Sequence, residues 1–98
     1  MPATYRPDHR AHIALGIVER EAADLYQITT ELNAATKTSR DKAFWVMDSL
    51  LEDGFVTKTD GEYFLTEEGA RALARLRAGE IVCTRPVQSV RIFVGRAA

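Results

Sequence analysis

The sequence predicts a single α+β domain, mainly helical, with one β-hairpin inside it and an additional strand near its C-terminal end. Three observations predict this. Apolar residues recur at helical spacing in four stretches. Between the third and fourth of these, two short runs flank the pair Asp60-Gly61. Beyond Ile81 the period changes: Val90, Ile92 and Val94 fall on one face of an extended segment, and Ser89, Arg91 and Phe93 on the other. Ninety-eight residues leave room for one core. The chain therefore reads as one domain, 1–98, with its core at 8–79 and a strand tail at 81–96.

Each element has its own local reason. Residues 1–7 contain two prolines and read as a loose arm. Asp8 is an expected N-cap for a helix running to Glu21. Ala11, Ile13, Ala14, Leu15, Ile17 and Val18 spread over more than one stripe of that helix, so it needs cover on two sides. The cover is either the C-terminal tail or a partner chain. Leu25, Ile28 and Leu32 suggest a second helix over Gln27 to Ala35. Thr38 or Ser39 caps a third, running from Ser39 to Asp53 with Ala43, Val46, Met47 and Leu50 as its inward stripe. Gly54 suits the residue that ends it. Phe55 to Lys58 and Tyr63 to Leu65 make the hairpin, because Asp-Gly suits a tight turn whose central residues both need positive φ. Thr66 caps a fourth helix, Glu67 and Glu68 favour its dipole, and Ala70, Leu73 and Leu76 are expected to face inward. Glu67 and Arg71 stand at i, i+4 on its outer side, and Gly79 stops it. Val87 to Val94 reads as the additional strand, which invites pairing with another chain if left uncovered.

Composition narrows the function classes. The apolar fraction of 46% and charged fraction of 28% are ordinary for a globular protein. No apolar run approaches the roughly 20 residues needed to span a bilayer, so no membrane role is expected. The opening MPATYRPDHR has no apolar core of a secretory signal, and Cys83 has no second cysteine to pair with; both fit a cytoplasmic protein. His9, His12 and Cys83 lack the spacing of a metal site. No nucleophile elbow, phosphate loop or zinc-protease motif is present, so neither an enzyme nor a cofactor is expected. The net charge of −1 is low for a dedicated nucleic-acid binder, but the charges are segregated. Lys37, Arg40 and Lys42 cluster against Asp41 alone, while Asp48, Glu52, Asp53, Glu67 and Glu68 collect elsewhere.

The segment from Ile28 to Leu76 resembles the winged helix-turn-helix superfamily and is similar to the DNA-binding lobe of MarR-like bacterial regulators. The residues that carry the resemblance are Ile28-x-x-Glu31-Leu32, Ser39-Arg40, Leu50-Leu51, Gly54-Phe55-Val56 and Leu65-Thr66-Glu67-Glu68-Gly69. It departs from that pattern in three places. Thr36 and Lys37 stand where a large apolar residue and a glycine are usual, which implies a looser or differently shaped turn. The wing tip, Thr59-Asp60-Gly61-Glu62, is acidic. A β tail replaces the long dimerisation helices.

The resemblance implies sequence-specific binding of double-stranded DNA in transcriptional regulation, with a recognition helix at 39–53 and a short wing at 55–65. Opposite the inward stripe of the third helix lie Thr38, Asp41, Lys42, Trp45 and Ser49, with Arg40 nearer the edge. The expected DNA contacts are Lys37, Thr38, Ser39, Arg40, Lys42 and Trp45, with Lys58 on the wing touching a phosphate. Asp48 and Glu52 confine the contact to the first two turns. Trp45 has three open readings: it packs under the arm or tail, it sits in a protein interface, or it touches DNA. Arg85, Arg91 and Arg96 either track a DNA backbone or are simply solvated. A homodimer through the first helix and the C-terminal strand goes with the DNA reading. The alternative is a protein–protein interaction module that binds a protein partner through the Trp45 face and no DNA.

Overall fold

Residues 4–84 are described by the structure, a computed structural model, in the order β1 (Thr4–Tyr5), α1 (Arg10–Arg20), β2 (Ala23–Asp24), α2 (Leu25–Thr36), α3 (Arg40–Glu52), β3 (Val56–Thr59), β4 (Glu62–Leu65), α4 (Glu67–Arg77) and β5 (Val82–Cys83). The domain is α+β and mainly helical, with two small antiparallel sheets. No helix among the described residues is long and apolar enough to cross a membrane. The strand expected over Val87 to Val94, and Arg85, Arg91 and Arg96 with it, lie outside the described residues.

α1 is the central helix. Ala14 and Leu15 are fully buried, and Ala11, Ile17 and Val18 nearly so. Its two apolar sides are covered within the chain, since α1 packs against α2, α3, α4 and β4. That burial requires no second copy. Its start differs from expectation. Asp8 does not cap the helix: its backbone is left-handed (φ 62°), His9 occupies the cap position without a side-chain bond, and the Asp8 N–H donates to His12 Nδ1 at 2.8 Å.

α2 starts two residues earlier than its apolar spacing suggests, because Asp24 caps it by accepting from the Gln27 N–H at 2.8 Å. Asp24 also belongs to β2, a two-residue strand that pairs Ala23 with Tyr63 and Asp24 with Glu62. The three-stranded sheet thus runs β2-β4-β3. Asp60 (φ 52°) and Gly61 (φ 82°) make the β3–β4 turn with both central residues at positive φ, as the Asp-Gly pair demands.

α4 is rotated from its expected setting. Ala70 is exposed, and Gly69, Ala72, Leu73 and Leu76 are buried. The cause is the docking of its first turn on the end of α3. The Thr66 N–H donates to the Phe55 carbonyl at 3.1 Å, and Thr66 Oγ1 donates to the Gly54 carbonyl at 2.6 Å. Gly69 then faces the Phe55 backbone, and its neighbours at i+3, i+4 and i+7 follow it inward. The Glu67–Arg71 pair forms at 3.6 Å on the outer side.

Within the N-terminal arm, expected to be loose, Thr4–Tyr5 form a strand. Thr4 pairs with Cys83 and Tyr5 with Val82. Tyr5 is buried, its ring tilted against Phe55 at 5.7 Å between centroids. Two prolines obscured this strand, whose pairing partner lies at the other end of the described chain.

Candidate nucleic-acid interface

The α2–α3 turn sets the position of the candidate recognition helix. Lys37 closes α2 in a left-handed conformation (φ 57°). Ser39 caps α3, its Oγ accepting from the Lys42 N–H at 3.3 Å. Between them Thr38 is 1% exposed, so it is removed from the expected set of DNA contacts. It precedes the N-cap, where the backbone is extended, and helical spacing does not predict where its side chain goes.

Thr38 instead holds the turn together. Its Oγ1 accepts from Arg10 Nε at 3.1 Å and is bonded to Thr36 Oγ1. The Thr36 hydroxyl already donates to the Leu32 carbonyl at 2.9 Å, so the shared proton belongs to Thr38. Asn33 Nδ2 donates to the Thr38 carbonyl at 3.3 Å. A polar network anchored on α1 thereby fixes the turn where the sequence lacks an apolar residue and a glycine.

Lys37, Ser39, Arg40, Lys42 and Trp45 are all exposed around this turn and the start of α3, Trp45 at 68%. Lys58 stands apart from them. Its register partner is Tyr63, which puts both on one face of the hairpin, and its Nζ lies 5.3 Å from the Tyr63 ring centroid. A phosphate contact by Lys58 has to displace a cation–π contact of about 0.5–1 kcal/mol.

The pairing of the basic residues separates them into two groups. Arg20, Arg71, Arg75 and Arg77 are each bridged to glutamate. Arg77 does so through two bonds to Glu19, at 2.6 and 3.0 Å, which hold the Glu19 carboxyl below its usual range. Arg6, Arg10, Lys37, Arg40, Lys42 and Lys58 form no ion pair among the described residues. Within the second group Arg10 bonds to Thr38, Lys37 and Arg40 lie within two residues of it in the chain, and Arg40 shares a groove wall with it, while Arg6 lies on the β1–α1 segment.

That groove, of about 620 Å³, runs between α2 and the start of α3, with Tyr26, Thr30 and Asn33 on the α2 side. Tyr26 is 79% exposed, and the buried Oγ1 of Thr29 in the same wall has no hydrogen-bond partner among the described residues. A second groove, of about 250 Å³, lies between the β1–α1 segment and the outer face of α3. Its depth is set by Tyr5, whose hydroxyl is bonded to Ser49 at 2.6 Å and donates to the Asp53 carboxylate.

Comparison with protein-family models, with curated proteins and with solved structures returns no match. Sequence reasoning missed Arg6, Arg10 and Tyr26. A usable signal was present for the first two: within residues 1–18, Asp8 is the sole acid, one carboxylate for Arg6 and Arg10 together.

The Tyr5 contact has a measurable signature. Burial first, and then the hydrogen bond to Asp53, raise the Tyr5 phenol well above its usual range. The folded state keeps this proton after the unfolded chain, titrating near 10, has lost it. Its contribution to stability is complete below about pH 10 and declines as pH rises beyond that, by at most about 1.4 kcal/mol per pH unit. Urea midpoints measured across pH 9 to about 11 should therefore fall less steeply in Tyr5→Phe than in the parent. Equal slopes would remove Tyr5 from the account.

Proposed function

We propose that the chain is a winged helix-turn-helix domain that binds double-stranded DNA in transcriptional regulation. The carrying observation is the cluster of cations without ion-pair partners around the α2–α3 turn, on a protein whose other arginines among the described residues are neutralised by glutamate. The element order and the β2-β4-β3 sheet support the fold reading. In this reading α3 enters the major groove by its first two turns. Arg40 and Lys42 reach base edges or phosphates, and Lys37 and Ser39 meet the backbone. Arg10 and Thr38 act from beneath as positioning residues, holding α3 at its angle to α2. Asp48 and Glu52 limit insertion beyond Trp45 by repelling phosphate.

Fluorescence anisotropy of a labelled mixed-sequence duplex tests this. Binding should be measurable at low salt and weaken steeply as salt rises, with a log–log slope of about −0.9 per phosphate neutralised. Replacing Arg40 and Lys42 together by alanine should reduce that slope by about 2 and leave the melting temperature nearly unchanged, since both side chains are exposed. Absence of binding at low salt and high micromolar protein excludes the DNA reading. It would favour a protein-interaction module, a reading supported by the exposure of Phe44 beside Trp45 on α3 and by the acidic hairpin tip.

A further inference from the structure

The groove between the N-terminal arm and α3 shares Arg10, a positioning residue there, with the duplex site proposed above and is otherwise unused by it. Its walls combine two features rarely left bare together. One is Trp45, 68% exposed on the outer face of α3. The other is a row of basic groups, Arg6, His9 and Arg10, on the facing β1–α1 segment. Among the described residues the Arg6 side chain has no hydrogen-bond or ion-pair partner, and Arg10 spends one N–H on Thr38, its other guanidinium donors meeting no partner there. The wall spacing is not incidental, because Tyr5 is bonded to Ser49 and Asp53 and is paired into the β1–β5 sheet. Asp41 and Asp48 stand one turn to either side of Trp45 along α3, so any phosphate is restricted to the arm side. A tryptophan and two guanidiniums lining one groove are the groups that take a nucleotide, base on the ring and phosphate on the guanidinium.

We infer that this groove holds an unpaired nucleotide of a single nucleic-acid strand, its base stacked on the Trp45 indole and its phosphates on Arg6 and Arg10. A groove of about 250 Å³ suits one nucleotide at a time rather than a duplex. The site is separate from the Arg40 and Lys42 contact and does not require that contact to bind duplex.

Trp45 is the protein's single tryptophan, so its emission reports the site directly. An oligothymidylate of about ten nucleotides should quench that emission saturably at low salt. Anisotropy of the labelled oligonucleotide should show affinity falling about 5- to 150-fold in Trp45→Ala, the range of one lost stacked base. Arg6→Ala should lower the affinity and flatten its salt dependence by about one phosphate. Both positions are exposed, and an unchanged melting temperature verifies folding in each variant. Duplex affinity should follow Arg40→Ala and be nearly insensitive to Arg6→Ala. Quenching by oligothymidylate without any duplex binding upholds this inference while removing the duplex reading.

Three results would overturn the inference. The first is no saturable quenching at high micromolar oligothymidylate. The second is equal loss of single-strand and duplex affinity in Trp45→Ala, which assigns Trp45 to the duplex face. The third is equal affinity for thymidine 5′-monophosphate and the oligonucleotide, which makes the ligand a free nucleotide rather than a strand.

Discussion

Gly69→Ala is expected to destabilise the fold by about 3 kcal/mol or more, the upper end of what overpacking costs. On a helix surface the same change stabilises by about 1 kcal/mol, so the sign is the test. A Cβ at residue 69 would lie 2.0 Å from the Phe55 carbonyl oxygen and 2.9 Å from its carbon. Leu65 Cδ1, at 2.8 Å, can swing aside, but the Phe55 peptide cannot. It is held by the Phe55 N–H bond to the Leu50 carbonyl and by the Thr66 N–H bond to its own oxygen. Relief requires lifting the first turn of α4 off the α3–β3 corner, which also disturbs the base of the hairpin. For a domain of this size the melting temperature should fall by about 12–24 °C. A thermal scan followed by circular dichroism reads it, and a variant as stable as the parent would refute the close approach.

Leu15→Ala should cost about 2–5 kcal/mol, the range for truncating a fully buried leucine. Leu15 has no exposed surface and sits midway along the helix that touches α2, α3, α4 and β4. Collapse around the missing methyls is limited, because the same core is built from Leu32 on α2, Met47 and Leu50 on α3 and Leu73 on α4, all themselves buried. Urea denaturation should show a lower midpoint with the slope retained, since the surface exposed on unfolding barely changes. Ile13→Ala on the same helix, at a partly buried position, should cost distinctly less.

The parts of the fold legible in the sequence are those with local causes. Ser39 caps α3 and Thr66 caps α4 through their own hydroxyls. Asp60-Gly61 makes its turn whatever surrounds it. β1 and β2 were not legible, because two-residue strands carry no period and exist only through partners at Val82–Cys83 and Glu62–Tyr63. Spacing alone turns Ala70 inward; the close approach of Gly69 to the Phe55 backbone sets the rotation instead. The candidate site divides in the same way. Lys37, Ser39, Arg40 and Lys42 were legible as an uncompensated basic stretch, and they are exposed. Thr38 was misplaced because its burial depends on Arg10, far away in sequence. Arg71 pairs with Glu67 and Glu68 on its own helix, as their spacing implies, whereas the Arg77–Glu19 pair joins α4 to α1 and is a tertiary property.

The pairing of Thr4 with Cys83 has a practical consequence. Facing residues of antiparallel strands have Cα atoms only about 4.5–5.5 Å apart. A segment whose two ends meet in this way can be spliced into a surface loop of a host protein without stretching either one. Residues 4–83 are thus suited to serve as an insertable cassette, with both junctions side by side.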